Sequence, residues 1–172
     1  MRTTMSPLAA WTASLAATAA STYALDACAA AAGAGLVASG LLADLGHRSV
    51  VALLVVSYAV WVFGLRANLR ANGSLLAATG ASTNVLSKLA YDVTGRRWAA
   101  SLAYAGTEVA KEVPYYTAAF GAAVVTDAIT TDEALVFLAG ANVGAALYEG
   151  GLARLTRTVL ARRRGHASSG MD

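Results

Sequence analysis

The chain has 172 residues, 57% of them hydrophobic and 13% charged, with a mean hydropathy of +0.54. A soluble domain usually carries about 25% charged residues, and a soluble Ala-rich bundle needs charged outer faces; long stretches here have none, which argues against both. The net charge of +3 and pI near 9.2 do not point to nucleic acid, because the basic residues flank the hydrophobic segments.

Alanine occurs 42 times and glycine 16 times. Small residues at this density suit helices whose backbones approach closely in lipid. The length suits one compact bundle. The lone Cys28 excludes an intrachain disulfide. His47 and His166 are far apart and lack the companions a metal site needs, so neither metal nor cofactor is expected.

The first apolar segment runs from about Leu8 to Leu42, with Asp26 its only charge. Residues before Tyr23 exceed what one span needs and read as a small-residue lead-in at the inner interface. Met1-Arg2 before an apolar run has the outline of a signal peptide. Cleavage near Ala20 would leave the most basic link outside, against the orientation rule, so the segment is read as retained. Asp44, His47 and Arg48 form a nearly balanced link. The second segment, Val50 to Leu65, is uncharged and short of the roughly 20 residues that cross the hydrocarbon core; Arg66 is placed to snorkel at its end.

The connection from Arg66 to Arg97 holds five bases against Asp92. Leu65-Arg66-Ala67-Asn68 is echoed by Leu69-Arg70-Ala71-Asn72, too briefly to count as a structural repeat. Ser82, Thr83 or Asn84 is suited to cap a short helix. Val85, Leu86, Leu89 and Val93 recur at helical spacing, with Lys88 and Asp92 as an i,i+4 pair. Such a segment suits either the anionic inner leaflet or a solvated connector. Thr79-Gly80-Ala81-Ser82-Thr83 lacks the Gly-Lys-Ser/Thr ending of a phosphate loop.

The third segment, Trp98 to Val125, contains Thr107-Glu108-Val109-Ala110-Lys111-Glu112-Val113-Pro114. Extended to Thr131 as one helix it would be about 51 Å long, against roughly 30 Å of hydrocarbon. Counting back from Val125 sets the inner boundary near Gly106 and puts Glu108, Lys111 and Glu112 in the inner third. Pro114 is expected to kink the helix or start a new one, leaving Trp98 to Thr107 as a surface or re-entrant piece. Tyr115 and Tyr116 lie close enough to supply hydroxyls. After the acidic link Asp127, Asp132 and Glu133, the fourth segment runs from Ala134 to Ala153. It carries Gly140-Ala141-Asn142-Val143-Gly144, a GxxxG pattern, and Glu149. The Arg-rich, Ser/Gly-rich tail beyond Leu160 is expected to be disordered.

The expected fold is an all-α integral membrane protein of the cytoplasmic membrane. It is a four-transmembrane-helix bundle with both termini cytoplasmic and spans near residues 23–43, 49–66, 106–126 and 133–153. A short amphipathic or re-entrant helical connection joins spans two and three. Residues 1–160 form one domain and 161–172 a basic tail. This orientation puts 11 of the 13 Lys and Arg residues inside, a strong positive-inside pattern.

The same length counting brings Asp26 and Glu149 to the level of Glu108 and Glu112. Ionisable groups inside a membrane segment face a partner, water or a task. The candidate binding residues are therefore Asp26, Glu108, Lys111, Glu112, Tyr115, Asn142 and Glu149. They would form either an electrostatic clasp or an inward-facing acidic pocket for cations, protons or lipid. No catalytic residue is assigned. The outer half carries almost no polar group beyond Asn142, which argues against an always-open pore. A carrier or lipid-handling transport protein is the leading expectation. One alternative is a membrane enzyme using a buried carboxylic acid on a lipid or isoprenoid, although nucleophile and phosphate-loop motifs are missing. The other is an accessory subunit of a larger complex. The expected partners are the bilayer, a small cation or lipid ligand, and a second copy or membrane partner across the small-residue seams.

Overall fold

The computed structural model describes residues 5–40 and 44–168, with side chains throughout except at 113–115, 117–119 and 166–168. Within these residues there are five helices and no strand: α1 (Pro7–Ala38), α2 (His47–Thr79), α3 (Val85–Thr94), α4 (Arg97–Val125) and α5 (Thr131–Ser168).

Local chemistry accounts for the helix ends. At α1, the Ser6 hydroxyl accepts from the Ala9 N–H at 3.2 Å and Pro7 occupies the first helical position, where its missing N–H costs nothing. α2 stops at Gly80, in the left-handed region at φ 74°, whose N–H closes on Leu76 O at 2.9 Å. Of the three candidate caps for α3, Asn84 is the one used, accepting from the Ser87 N–H at 3.0 Å. α5 opens with a reciprocal capping box: the Thr130 N–H donates to Glu133 Oε2 at 2.7 Å, and the Glu133 N–H to Thr130 Oγ1 at 3.2 Å.

Several boundaries differ from those expected of the sequence. α2 does not end near Arg66 but continues to Thr79, because the Leu-Arg-Ala-Asn echo is rich in good helix formers. α4 runs unbroken through Pro114, so 97–107 is its first part and not a separate re-entrant piece. It ends at Val125, and Asp127 adopts φ 56°. The tail expected to be disordered extends α5 as far as Ser168, in keeping with the helix propensity of Ala, Leu and Arg; residues 169–172 lie outside the described residues.

Within the span expected to form one domain, the chain divides into two compact units. Unit 1 takes in the chain up to Thr22, Arg66–Thr107 and the chain from Gly150; unit 2 takes in Tyr23–Leu65 and Glu108–Glu149. Among the described residues, unit 1 holds ten Lys and Arg and one carboxylate, Asp92. Unit 2 holds two bases and eight carboxylates.

Within unit 2, α1 and α5 approach closely at glycines. A Cβ on Gly144 would stand 2.6 Å from Cys28 O and 2.8 Å from Ala29 Cα; one on Gly140 would stand 2.7 Å from Ala32 O and Gly33 Cα. The GxxxG seam is thus filled by α1 of the same chain, the close approach that small residues permit. The Cys28 thiol donates to Gly144 O at 3.3 Å across it. α2 joins α5 at Gly64, where an added Cβ would meet Ala146 Cα at 3.1 Å.

In both units the usual soluble pattern is inverted. The buried apolar residues are mostly alanine, while Leu8, Leu15, Val55, Val56, Phe63, Leu102 and Leu147 are exposed. α3 turns Ser87 and Lys88 inward and leaves Leu86, Leu89 and Val93 exposed. Lipid offers no driving force to hide apolar side chains, so small residues and polar groups go inward instead. Among the described residues, three helices are long and apolar enough to cross a membrane: α1, α2 and α5 over Thr131–Gly165. α4 is not among them, since each of its 18-residue windows contains Glu108, Lys111 and Glu112.

Candidate functional site

The acidic candidates all belong to unit 2. α1 and α4 enter that unit at Tyr23 and Glu108, and α2 and α5 leave it at Leu65 and Glu149. Asp26, Glu108, Lys111, Glu112 and Glu149 therefore lie near one end of it.

Their environments differ. Glu108 is 3% exposed and Glu149 1%. Helical spacing puts Glu108, Lys111 and Glu112 on one face of α4, and the Lys111 ammonium donates to the Glu108 carboxylate at 3.0 Å. Glu112 is half-buried and feels the charges of Glu108, Lys111 and, from α1, Asp26. Asp26 itself is exposed on α1 and not buried. Glu149 stands against α2, its Cβ 3.3 Å from where Gly64 would carry one. The absence of a side chain at Gly64 is what makes room for the buried glutamate. Asn142 is half-buried, and its amide donates to Ser57 Oγ on α2 at 3.5 Å. The Tyr115 side chain lies outside the described residues. The structure thus brings Asp26, Glu108, Lys111 and Glu112 into one electrostatic group and seats Glu149 at the α2–α5 contact.

At the other end of unit 2, where α2 and α5 begin, His47 Nδ1 lies 2.5 Å from Asp132 Oδ1. Both are well exposed, so the pair is worth well under about 1 kcal/mol. Beside it a cavity of about 370 Å³ is lined by Leu36, Val50, Asp132 and Val136, among others.

Unit 1 contains a buried polar network that the sequence alone does not single out. Asn72, 1% exposed, accepts through Oδ1 from Ser82 Oγ at 2.7 Å, the Thr83 N–H at 2.8 Å and Thr83 Oγ1 at 3.0 Å. Its amide donates to Ser87 Oγ at 2.9 Å. Asn72 thereby ties α2 to the 80–84 connector and to α3. Ser14 and Thr18 of α1 accept from the Ser82 and Val85 N–H groups at 2.9 and 2.7 Å. Lys88, buried, holds both Asp92 oxygens at 2.7 Å and lies 5.0 Å over the Trp11 ring, a desolvated cation–π contact. Asn68 donates to the Tyr104 hydroxyl, both residues being fully buried. Its Oδ1 has no partner among the described residues, and neither has the buried Trp61 indole N–H in unit 2. Such groups are costly to leave unpaired. The signal for Asn68 and Asn72 is the four-residue echo itself. A period of four keeps both asparagines on one helix face and turns Arg66 and Arg70, both exposed, away from them.

Among the described residues, the structure is all-helical, with three helices long and apolar enough to cross a membrane and two buried glutamates, Glu108 and Glu149. No protein family matches the chain, and neither a curated protein nor a solved structure does.

Proposed function

We propose that the chain is a multi-pass protein of the cytoplasmic membrane, with four spans and both termini cytoplasmic, and that it acts as a small carrier or lipid-handling transport protein. The acidic end of unit 2 is its binding site. Glu108, Glu112 and Glu149 are the acids that take up a cation, a proton or a cationic lipid headgroup, with Lys111 as the internal counter-ion. The observation that carries this reading is the burial of two carboxylates, Glu108 and Glu149, in a unit that leaves Val55, Val56, Phe63 and Leu147 exposed. A charged group held inside such a bundle is expensive and marks ion, proton or substrate paths. Within unit 2 eight carboxylates face two bases, a balance that favours a positively charged ligand.

The test is flux in proteoliposomes for wild type, Glu108→Gln and Glu149→Gln, across monovalent cations, cationic amphiphiles and labelled phospholipids. Protein-dependent transport of one class, reduced at least tenfold by either substitution in variants that remain monodisperse, is the expected result. Absence of transport of every class, or full activity of both variants, would overturn the proposal.

A further inference from the structure

We propose that a groove between α2 and α5 in unit 1 binds the phosphate of an anionic phospholipid headgroup. The groove encloses about 440 Å³ and is lined by Arg70 and Ala71 from α2 and by Arg157, Ala161 and Arg164 from α5, with Leu160 beside them. Arg157 and Arg164 are seven residues apart, two turns along one face of α5. Alanines at 71 and 161 leave space between the guanidinium groups that longer side chains would fill.

No carboxylate among the described residues offsets the charge in this groove. Among the described residues unit 1 has one carboxylate, Asp92, and Lys88 holds both its oxygens. None of Arg70, Arg157 or Arg164 forms an ion pair with a described carboxylate. Three like charges around one cavity repel each other unless an anion enters. Guanidinium groups present a planar fork that matches phosphate oxygens. The lining of the groove favours a lipid over a soluble anion: Ala67, Ala71, Leu160 and Ala161 give it apolar surface between the arginines. An acyl chain would cover apolar surface that a free phosphate leaves bare. This site shares no residue with the acidic end of unit 2, so its test is independent of the transport reading.

The experiment measures lipid binding to the full chain by native mass spectrometry and thermal unfolding, adding phosphatidylglycerol or phosphatidylcholine to detergent-solubilised protein. Phosphatidylglycerol should bind in preference to phosphatidylcholine. Arg70→Gln and Arg157→Gln should each weaken it about tenfold, since each guanidinium supplies charge-assisted hydrogen bonds to the phosphate. Arg96→Gln removes the same charge from the same unit outside the groove and should leave binding intact. An equal loss in Arg96→Gln would show diffuse attraction to a basic surface and overturn the proposal, as would binding without headgroup preference. Inorganic phosphate tested alone separates the sources. Stabilisation by millimolar phosphate, with the same arginine dependence and no added gain from phosphatidylglycerol, would overturn the lipid as occupant.

Discussion

Glu108 and Lys111 form an ion pair on α4, and burial decides what the pair is worth. Glu108 has almost no contact with solvent, and the Lys111 side chain retains 23% exposure. Withdrawing two charges from water costs several kcal/mol per ion, and their attraction only offsets it. The pair therefore adds little net stability while intact, but removing one partner strands the other. Lys111→Met should lower stability by about 3 kcal/mol or more. Glu108→Gln combined with Lys111→Met should restore most of that loss. Unfolding of the three variants in detergent micelles measures it, and losses that simply add would show the two residues to be uncoupled. A network that serves only as a clasp would give the same stability cycle. Flux through Glu108→Gln is what separates a clasp from a binding site.

Among the elements, α5 lies close against α1, and glycine is the reason. At Gly144 an added Cβ would meet backbone atoms of α1, which cannot rotate aside as a side-chain end can. Gly144→Val should force α1 and α5 apart and cost about 2 kcal/mol, within the range of overpacked cores. Gly150, on the same helix, has nothing within 4 Å of where a Cβ would stand, so Gly150→Ala should instead stabilise by up to about 1 kcal/mol through helix propensity. Opposite shifts in thermal midpoint for these two substitutions would establish the α1–α5 seam. Loss of stability in both would point to a demand for glycine along all of α5. The same seam restricts partners: with Gly140 and Gly144 occupied by α1, a second copy has to dock elsewhere.

Across the whole chain, the division of charge is the main organising feature. Bases collect in unit 1 and acids in unit 2. In unit 2 the α1, α2, α4 and α5 segments hold 16, 19, 18 and 19 helical residues. At 1.5 Å per residue each is about 24–28 Å long, close to the roughly 30 Å of a hydrocarbon core. In a Cys28→Ala background, Asp127→Cys should react with an impermeant maleimide on intact cells, and Arg96→Cys only after permeabilisation. The reverse pattern would invert the proposed orientation.

The helical class, the apolar segments and the basic and acidic links are legible in the sequence, because composition and periodicity are local properties of the chain. So are the Asn84 cap among three candidates and the Lys88–Asp92 pair, whose chemistry acts within one or two helical turns; the GxxxG pattern of α5 is legible too, but not that α1 fills it. The continuation of α2 to Thr79, of α4 through Pro114 and of α5 to Ser168 is not, since packing and propensity override weak breakers. Nor are Asn72 as the knot of unit 1, the inward polar face of α3, or the exposure of Asp26 beside half-buried Glu112. Each depends on residues distant in the chain meeting in space. That charges interrupt an apolar helix at Glu108, Lys111 and Glu112 follows from residue order alone. That Glu108 is buried against Lys111 while Asp26 faces outward follows only from the packed fold, because burial depends on which face of each helix its neighbours cover.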